Sequence, residues 1–196
     1  INALNIRFAR NAWGAEKRIM PYIRTKRGIS NTLLLGPPGA GKTTVLREII
    51  RNLSNGDEHN QGLQTAVIDE RSELAGMYEG ECRLDLGMRT DVLDGCPKAS
   101  GIRMLIRSMA PEVLAMDELG KDEDIAALEE ALAAGVAVMA TMHGRGLNDI
   151  KNRRGFADIF AKHLFQTIVI LGSNVGAGTI EEVYYWQDGE YERMML

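Results

Sequence analysis

The sequence predicts an α/β protein: a mainly parallel sheet flanked by helices, with a β-hairpin at the C-terminus. Three observations predict it. Short apolar runs alternate with segments of helical period, a glycine-rich loop joins an early apolar run to the first strong helix, and polar residues cluster where the apolar runs stop. Strands that alternate with helices imply parallel pairing with both faces of the sheet covered. In such a sheet the ligand site lies at the carboxyl ends of the strands.

Taken in order, "INALNIRF" is strand-like and reads as the connection to an upstream domain, so residues 1–28 are assigned to a linker or edge segment and 29–196 to the folded domain. The stretch from Arg7 to Arg27 is locally basic; a solvated surface and a contact with anionic lipid, nucleic acid or an acidic partner both fit it. "NTLLL" is a buried strand. "TTVLREIIRNL" places Val45, Leu46, Ile49, Ile50 and Leu53 at the helical period. "SNGDEHNQG" is an exposed loop, and "LQTAVIDE" a short strand ending in Asp69 and Glu70. From Arg71 to Lys98 the chain is Gly-rich and irregular, too polar for a central strand, and reads as a functional loop. "SGIRMLIRSM" is a helix capped by Ser100 and stopped by Pro111. "EVLAM" is a buried strand, and "DEDIAALEEALAAG" a helix that starts at Asp122 and ends before Gly135. "VAVMATMH" is the next strand, "LNDIKNRRGFADIFAKH" a helix interrupted at Gly155, and "FQTIVILG" a further strand. In the tail, Asp188-Gly189 between two strand-like runs signals a hairpin.

The loop carries the chemistry. Gly36-x-x-x-x-Gly41-Lys42-Thr43 is the P-loop pattern, in which backbone N–H groups and the following helix N-terminus cradle phosphates. Gly36, Pro37, Pro38, Gly39, Ala40, Gly41, Lys42, Thr43 and Thr44 are therefore candidate ATP-binding residues, with Lys42 reaching the β- and γ-phosphates and Thr43 binding Mg²⁺. "VLAMDE" ends a buried strand in Asp117, positioned to share that Mg²⁺, and Glu118, an acid able to orient and polarise an attacking water. Asp117-Glu-Leu-Gly120 also matches the D-x-x-G pattern of switch GTPases, but no guanine-reading N-K-x-D occurs in the chain. His143 ends the next strand, where a neutral imidazole can accept one hydrogen bond and donate another beside the γ-phosphate or the water. Asp69, Glu70 and Glu73 are candidates for holding a Mg²⁺-bound water, or for a salt-bridged loop with Arg71. Arg103 and Arg107, one helical turn apart, fit either a neighbour's nucleotide or a solvated face.

Composition bounds the rest. With 45% hydrophobic and 26% charged residues, the 196-residue chain has the profile of one globular domain. A net charge of −4 argues against a stable nucleic-acid partner. Cys82 and Cys96 form no C-x-x-C and have no paired His, so neither zinc nor a disulfide framework is expected. No apolar run approaches the roughly 20 residues of a transmembrane helix, so any membrane role is peripheral.

The P-loop, "VIDERSELAG", "GMRTDVLDGCPKASGIRMLIRSMAPEVLAMDELG" and "ATMHG" together resemble the stage III sporulation protein AA family of endospore-forming bacteria, which is similar in turn to type II and type IV secretion ATPases. The resemblance covers nearly the whole chain. It implies a RecA-like ATPase core, normally preceded by an N-terminal domain and acting as a hexamer. It also implies a mother-cell cytoplasmic location, held at the membrane through other stage III sporulation proteins of a channel complex. By position, Gly36 to Thr44 corresponds to the Walker A loop, Asp69 to Glu73 to an acidic "Asp box", Asp117-Glu118 to Walker B, and His143 to a "His box". Secretion ATPases commonly carry Gly-Glu where this chain has Asp117-Glu118, so the metal role of Asp117 rests on P-loop logic alone. The zinc-binding cysteine cluster of some type II ATPases is absent.

The resulting expectation is Mg²⁺-dependent ATP hydrolysis that powers or assembles a secretion-like complex. The alternatives are a nucleotide-dependent scaffold with little turnover, and a nucleic-acid translocase.

Overall fold

The fold was read from a computed structural model, which describes residues 12–26, 28–151, 157–173 and 176–194. The strand-like "INALNIRF" and the interruption at Gly155 lie outside the described residues. After a series of turns, α1 (Met20–Ile23) leads into β1 (Arg24–Thr25) and β2 (Gly28–Ile29), which pair antiparallel as a small ribbon. The main domain then follows: β3 (Thr32–Gly36), α2 (Lys42–Asn55), β4 (Thr65–Asp69), β5 (Thr90–Asp94), α3 (Lys98–Met109), β6 (Val113–Met116), α4 (Asp122–Ala133) and β7 (Ala137–His143). It closes with α5 (Leu147–Lys151), α6 (Ala157–Ala161), β8 (Thr167–Gly172), β9 (Thr179–Gln187) and β10 (Glu190–Arg193).

The eight-stranded sheet has the order β10-β9-β8-β3-β7-β6-β4-β5. From β8 through β5 every neighbouring pair is parallel, and β9 and β10 append antiparallel at one edge. The terminal hairpin turns at Asp188 and Gly189, with φ of 50° and 98°, the paired left-handed geometry that Asp-Gly supplies in a two-residue turn.

Pleating sorts the side chains into two cores. Leu33 and Leu35 of β3, Ala66 and Ile68 of β4, and Ile168 and Ile170 of β8 face the cluster built with α3, α4 and Phe165. Leu34, Val67 and Val169 face the other, built with Val45, Leu46, Ile49, Ile50 and Leu53 of α2. Ile19 and Ile23 belong to this second core, so the segment around α1 packs on the same side as α2. Each such aliphatic side chain contributes about 1.5–3 kcal/mol when fully buried. Both faces are covered, which is why these strands read as continuous apolar runs rather than alternating ones.

Two local readings are corrected. The stretch from Arg71 to Lys98 contains a strand after all: β5, "TDVLD", pairs with β4 at the sheet edge, where its half-buried residues need not be apolar. Ser100 does not cap its helix. α3 begins at Lys98, and the carbonyl of Pro97 accepts the first helical hydrogen bond from Gly101 N at 2.9 Å, which leaves Ser100 inside the first turn.

The parallel register fixes the site. Gly36 pairs with His143 across β3 and β7, and Ile68 pairs with Met116 across β4 and β6. The glycine loop, His143, the Asp117-Glu118 pair and the turn after Asp69 therefore all emerge at the carboxyl ends of the parallel strands.

Candidate functional site

The loop between β3 and α2 holds its shape because side chains are excluded from it. A Cβ on Gly36 would lie 2.6 Å from the Leu171 carbonyl oxygen, and one on Gly41 would lie 2.6 Å from the Gly178 nitrogen. Gly41 sits at φ 83°, immediately before α2, a left-handed position that favours glycine. The turn before β9 clamps the loop from outside, with Gly178 N donating to Ala40 O at 2.7 Å. The helix N-terminus that follows presents its first N–H groups and the positive end of its dipole, an anion-binding arrangement.

Lys42 is buried at 6% exposure, and its ammonium spends three donors at once. Nζ donates to Gly36 O at 2.9 Å, to Pro37 O at 3.0 Å and to His143 Nδ1 at 3.1 Å. Burial lowers its pKa, and the negative charges of Asp117 and Glu118 oppose that shift. A desolvated cation gains from a ligand that brings negative charge to it.

Because a lysine ammonium can only donate, His143 Nδ1 must accept, and Nε2 then carries the ring proton. That nitrogen lies 3.2 Å from Glu118 Oε1. The other carboxylate oxygen of Glu118 accepts from Arg71 Nη1 at 2.8 Å. A continuous chain thus runs from the loop carbonyls through Lys42, His143 and Glu118 to Arg71. Glu118 adopts φ 53°, rare for a non-glycine residue. Thr141 of β7 holds it there: Glu118 N donates to Thr141 Oγ1 at 2.8 Å, and Leu119 N donates to Thr141 O at 2.8 Å. The same Thr141 hydroxyl donates to Asp117 Oδ1. Asp117 Oδ2 accepts from Thr43 Oγ1 at 2.7 Å.

Thr43 and Asp117 therefore meet as a hydroxyl and a carboxylate, a hard oxygen pair of the kind Mg²⁺ uses when phosphates and waters supply its remaining ligands. The pair fits that ion and would hold it. These groups surround a cleft of about 760 Å³ lined by Pro38, Gly39, Gly41 to Thr44, Arg71, Glu73, Asp117, Glu118, Thr141, His143 and Ala177. A smaller cavity of about 360 Å³, lined by Ser30, Asn31, Gln166 and Tyr185 among others, lies at the amino ends of β3, β7 and β8. It holds none of the residues expected to do chemistry.

Of the residues expected to bind, Pro38, Gly39, Gly41, Lys42, Thr43, Thr44, Asp117, Glu118 and His143 line the cleft together. Gly36, Pro37 and Ala40 shape the loop behind it through their carbonyls. Asp69 and Glu70 do not line this cleft; they line a small adjoining cavity of about 20 Å³ with Arg71, Glu73, Lys98, Asp117 and Glu118. Asp69 is 1% exposed, and its carboxylate accepts backbone N–H groups from Glu73 at 2.8 Å, Leu74 at 3.0 Å and Ala75 at 2.8 Å. Its oxygens organise the turn rather than face the cleft. Glu70 is paired with Lys98, whose hydrogen bond lowers the Glu70 pKa. Arg103 is held by Glu130 of α4 at 2.8 Å.

Sequence reasoning named Thr141 only as part of a strand end and Arg71 only as a partner of its neighbouring acids, whereas the structure puts them on Asp117 and Glu118. Thr141 was legible as the one polar residue within the apolar run "VAVMATM", and Arg71 as the cation between two acids in "DERSE".

The fold and the phosphate-type loop define a class: this is the fold of the P-loop secretion ATPases. The VirB11 ATPase of the Brucella suis type IV secretion system, solved in complex with sulphate, aligns with a TM-score of 0.58 at 16% identity, covering 86% of this chain and 52% of that one. The Legionella pneumophila ATPase DotB aligns with a TM-score of 0.53 at 19% identity, covering 79% of this chain and 43% of that one. The chain itself belongs to the family described as Sporulation stage III, protein AA, whose model matches residues 1–191. The stage III sporulation protein AA of Bacillus subtilis (strain 168) is 41% identical over 184 residues, 94% of this chain. The chain spans 60% of that relative's length. Among the described residues, no helix is long and apolar enough to cross a membrane.

Proposed function

We propose that this chain binds ATP with Mg²⁺ in the 760 Å³ cleft and hydrolyses it, and that turnover powers or assembles a secretion-like complex during endospore formation. The observation that carries the reading is the convergence of Lys42, the Thr43–Asp117 pair, Glu118 and His143 on one cleft beside the N-terminus of α2. Lys42 exchanges its carbonyl and imidazole partners for phosphate oxygens. Mg²⁺, when bound, would neutralise phosphate charge between Thr43 and Asp117. Glu118 then accepts a proton from, or orients, the attacking water, and His143 Nε2–H keeps the carboxylate aligned. Asp69 and Glu70 support the site from behind through the turn and the Lys98 pair.

The family relationship and the secretion-ATPase fold support a nucleotide-dependent role in a sporulation complex. We extend this to a ring of subunits, a hexamer in the full-length protein, located in the mother cell and attached to the membrane through partner proteins. We place the ATPase domain at 29–196, with the described part of 1–28 packed against it through Ile19 and Ile23. A scaffold with little turnover is favoured by one specific observation: both oxygens of Glu118 are engaged, by Arg71 and by His143.

Steady-state phosphate release with parallel ATP titrations tests the proposal. Lys42→Ala is expected to impair binding. Glu118→Gln is expected to retain binding and to lose about 10²- to 10³-fold in rate, as for loss of one positioned group. Parental rates from Glu118→Gln overturn the catalytic assignment. A parent that binds ATP without releasing phosphate supports the scaffold.

A further inference from the structure

Arg71 has no role in the chemistry above, yet it lines the cleft and touches the one carboxylate that must be free to act. Its surroundings are fixed while its side chain is not. Asp69 binds three consecutive backbone N–H groups just beyond it, Ser72 stands at φ 55° with its hydroxyl donating to Asp94 Oδ1 at 2.7 Å, and the preceding Glu70 is paired with Lys98. The Arg71 side chain is 65% exposed and lines the cleft, with its guanidinium paired to Glu118 at 2.8 Å. An exposed ion pair of this kind contributes little to stability and is easily exchanged for a stronger partner. A terminal phosphate is such a partner, since guanidinium binds phosphate oxygens through parallel hydrogen bonds.

Resting on the ATP reading, we propose that Arg71 is a cis-acting latch that holds Glu118 in the nucleotide-free site and transfers to the terminal phosphate when a triphosphate enters. The transfer does two things at once. It frees Glu118 Oε2 to accept a proton from water, and it places a cation on the phosphate where negative charge accumulates. A diphosphate lacks the terminal group that Arg71 would take, so the latch stays closed over Glu118. Arg71 is thus a residue that discriminates ATP from ADP within one subunit, independent of any cation delivered by a neighbour. The preceding engagement of both Glu118 oxygens becomes a resting state instead of evidence for a scaffold.

The test is an affinity comparison on the 196-residue chain, using a non-hydrolysable ATP analogue and ADP, both with Mg²⁺, read by calorimetry. Arg71→Ala is expected to weaken the triphosphate analogue by about tenfold or more, the scale of a lost charge-assisted bond, and to leave ADP affinity unchanged. Arg71→Lys, which keeps the charge without the planar fork, is expected to fall between. Glu118→Gln releases the latch and is expected to tighten analogue binding, and this gain should shrink when Arg71 is also Ala. Retained ADP binding reports that each variant is folded. Equal weakening of both nucleotides, no weakening of either, or a Glu118→Gln gain independent of Arg71 overturns the latch. A parent that binds neither nucleotide overturns the ATP reading itself and the latch with it.

Discussion

Asp69→Ala separates structural support from nucleotide contact at the one acid where the two assignments diverge. The substitution removes the acceptor of three backbone N–H groups, two of them, from Leu74 and Ala75, in buried surroundings. Each buried amide left without a partner costs about 1–3 kcal/mol, and the amide of exposed Glu73 adds little because water replaces its acceptor. The sum is about 2–6 kcal/mol, a large share of the roughly 5–15 kcal/mol that holds a domain together. Leu74 and Ala75 are both 0% exposed in the α2-side core, so a loosened turn also strains that packing. With a urea dependence of about 2 kcal/mol per molar, the unfolding midpoint should fall by about 1–3 M. ATP affinity of the folded fraction, measured at low temperature without urea, should match the parent. A variant of parental stability that no longer binds ATP would refute the reasoning and restore Asp69 as a direct contact.

Further outcomes follow from the same geometry. Gly41→Ala should abolish nucleotide binding, because its Cβ meets Gly178 N at 2.6 Å at φ 83°, whereas Gly39→Ala, with nothing within 4 Å, meets only backbone strain of about 1–2 kcal/mol; nucleotide titration and thermal melts compare the two. Mg²⁺ alone should bind weakly, since Thr43 and Asp117 supply too few ligands without phosphate oxygens; calorimetric titration of nucleotide-free protein yielding micromolar affinity would contradict this. Glu70 has a lowered pKa through its hydrogen bond with Lys98, so its contribution is complete above its unfolded value of about 4.3 and disappears as pH falls through the lower folded value. Glu70→Gln should therefore flatten the acid limb of a stability-against-pH curve and leave the neutral region less stable than the parent, as read by urea midpoints.

Much of this architecture was legible because its cause is local. "NTLLL" and "FQTIVILG" could hardly be other than strands buried on both faces, and Asp188-Gly189 carries its own turn geometry. The loop and its lysine were legible for the same reason, since glycines at Gly36 and Gly41 answer to close backbone contacts. What stayed hidden depends on partners distant in the chain. β5 is an edge strand, and its "TDVLD" lacks the apolar continuity that burial on both faces imposes. Asp69 looked like a ligand because acids at strand ends face a site in this fold class, but its carboxylate turns back onto its own loop. Thr141 binds Asp117 and Glu118 across a gap of more than twenty residues, and nothing in its local sequence names those partners. Arg71 meets Glu118 only because β4 and β6 are neighbours.

The central claim is that the cleft beside α2 receives the phosphates of ATP and that Lys42 changes partners to hold them. A crystal structure of the chain with a non-hydrolysable ATP analogue and Mg²⁺ tests it most directly. The expected result is phosphate density in the loop from Gly36 to Thr44, Lys42 Nζ moved from His143 Nδ1 onto phosphate oxygens, and the metal beside Thr43 and Asp117. Nucleotide density in the opposite cavity near Asn31 and Gln166, with Lys42 still bound to Gly36, Pro37 and His143, would contradict it.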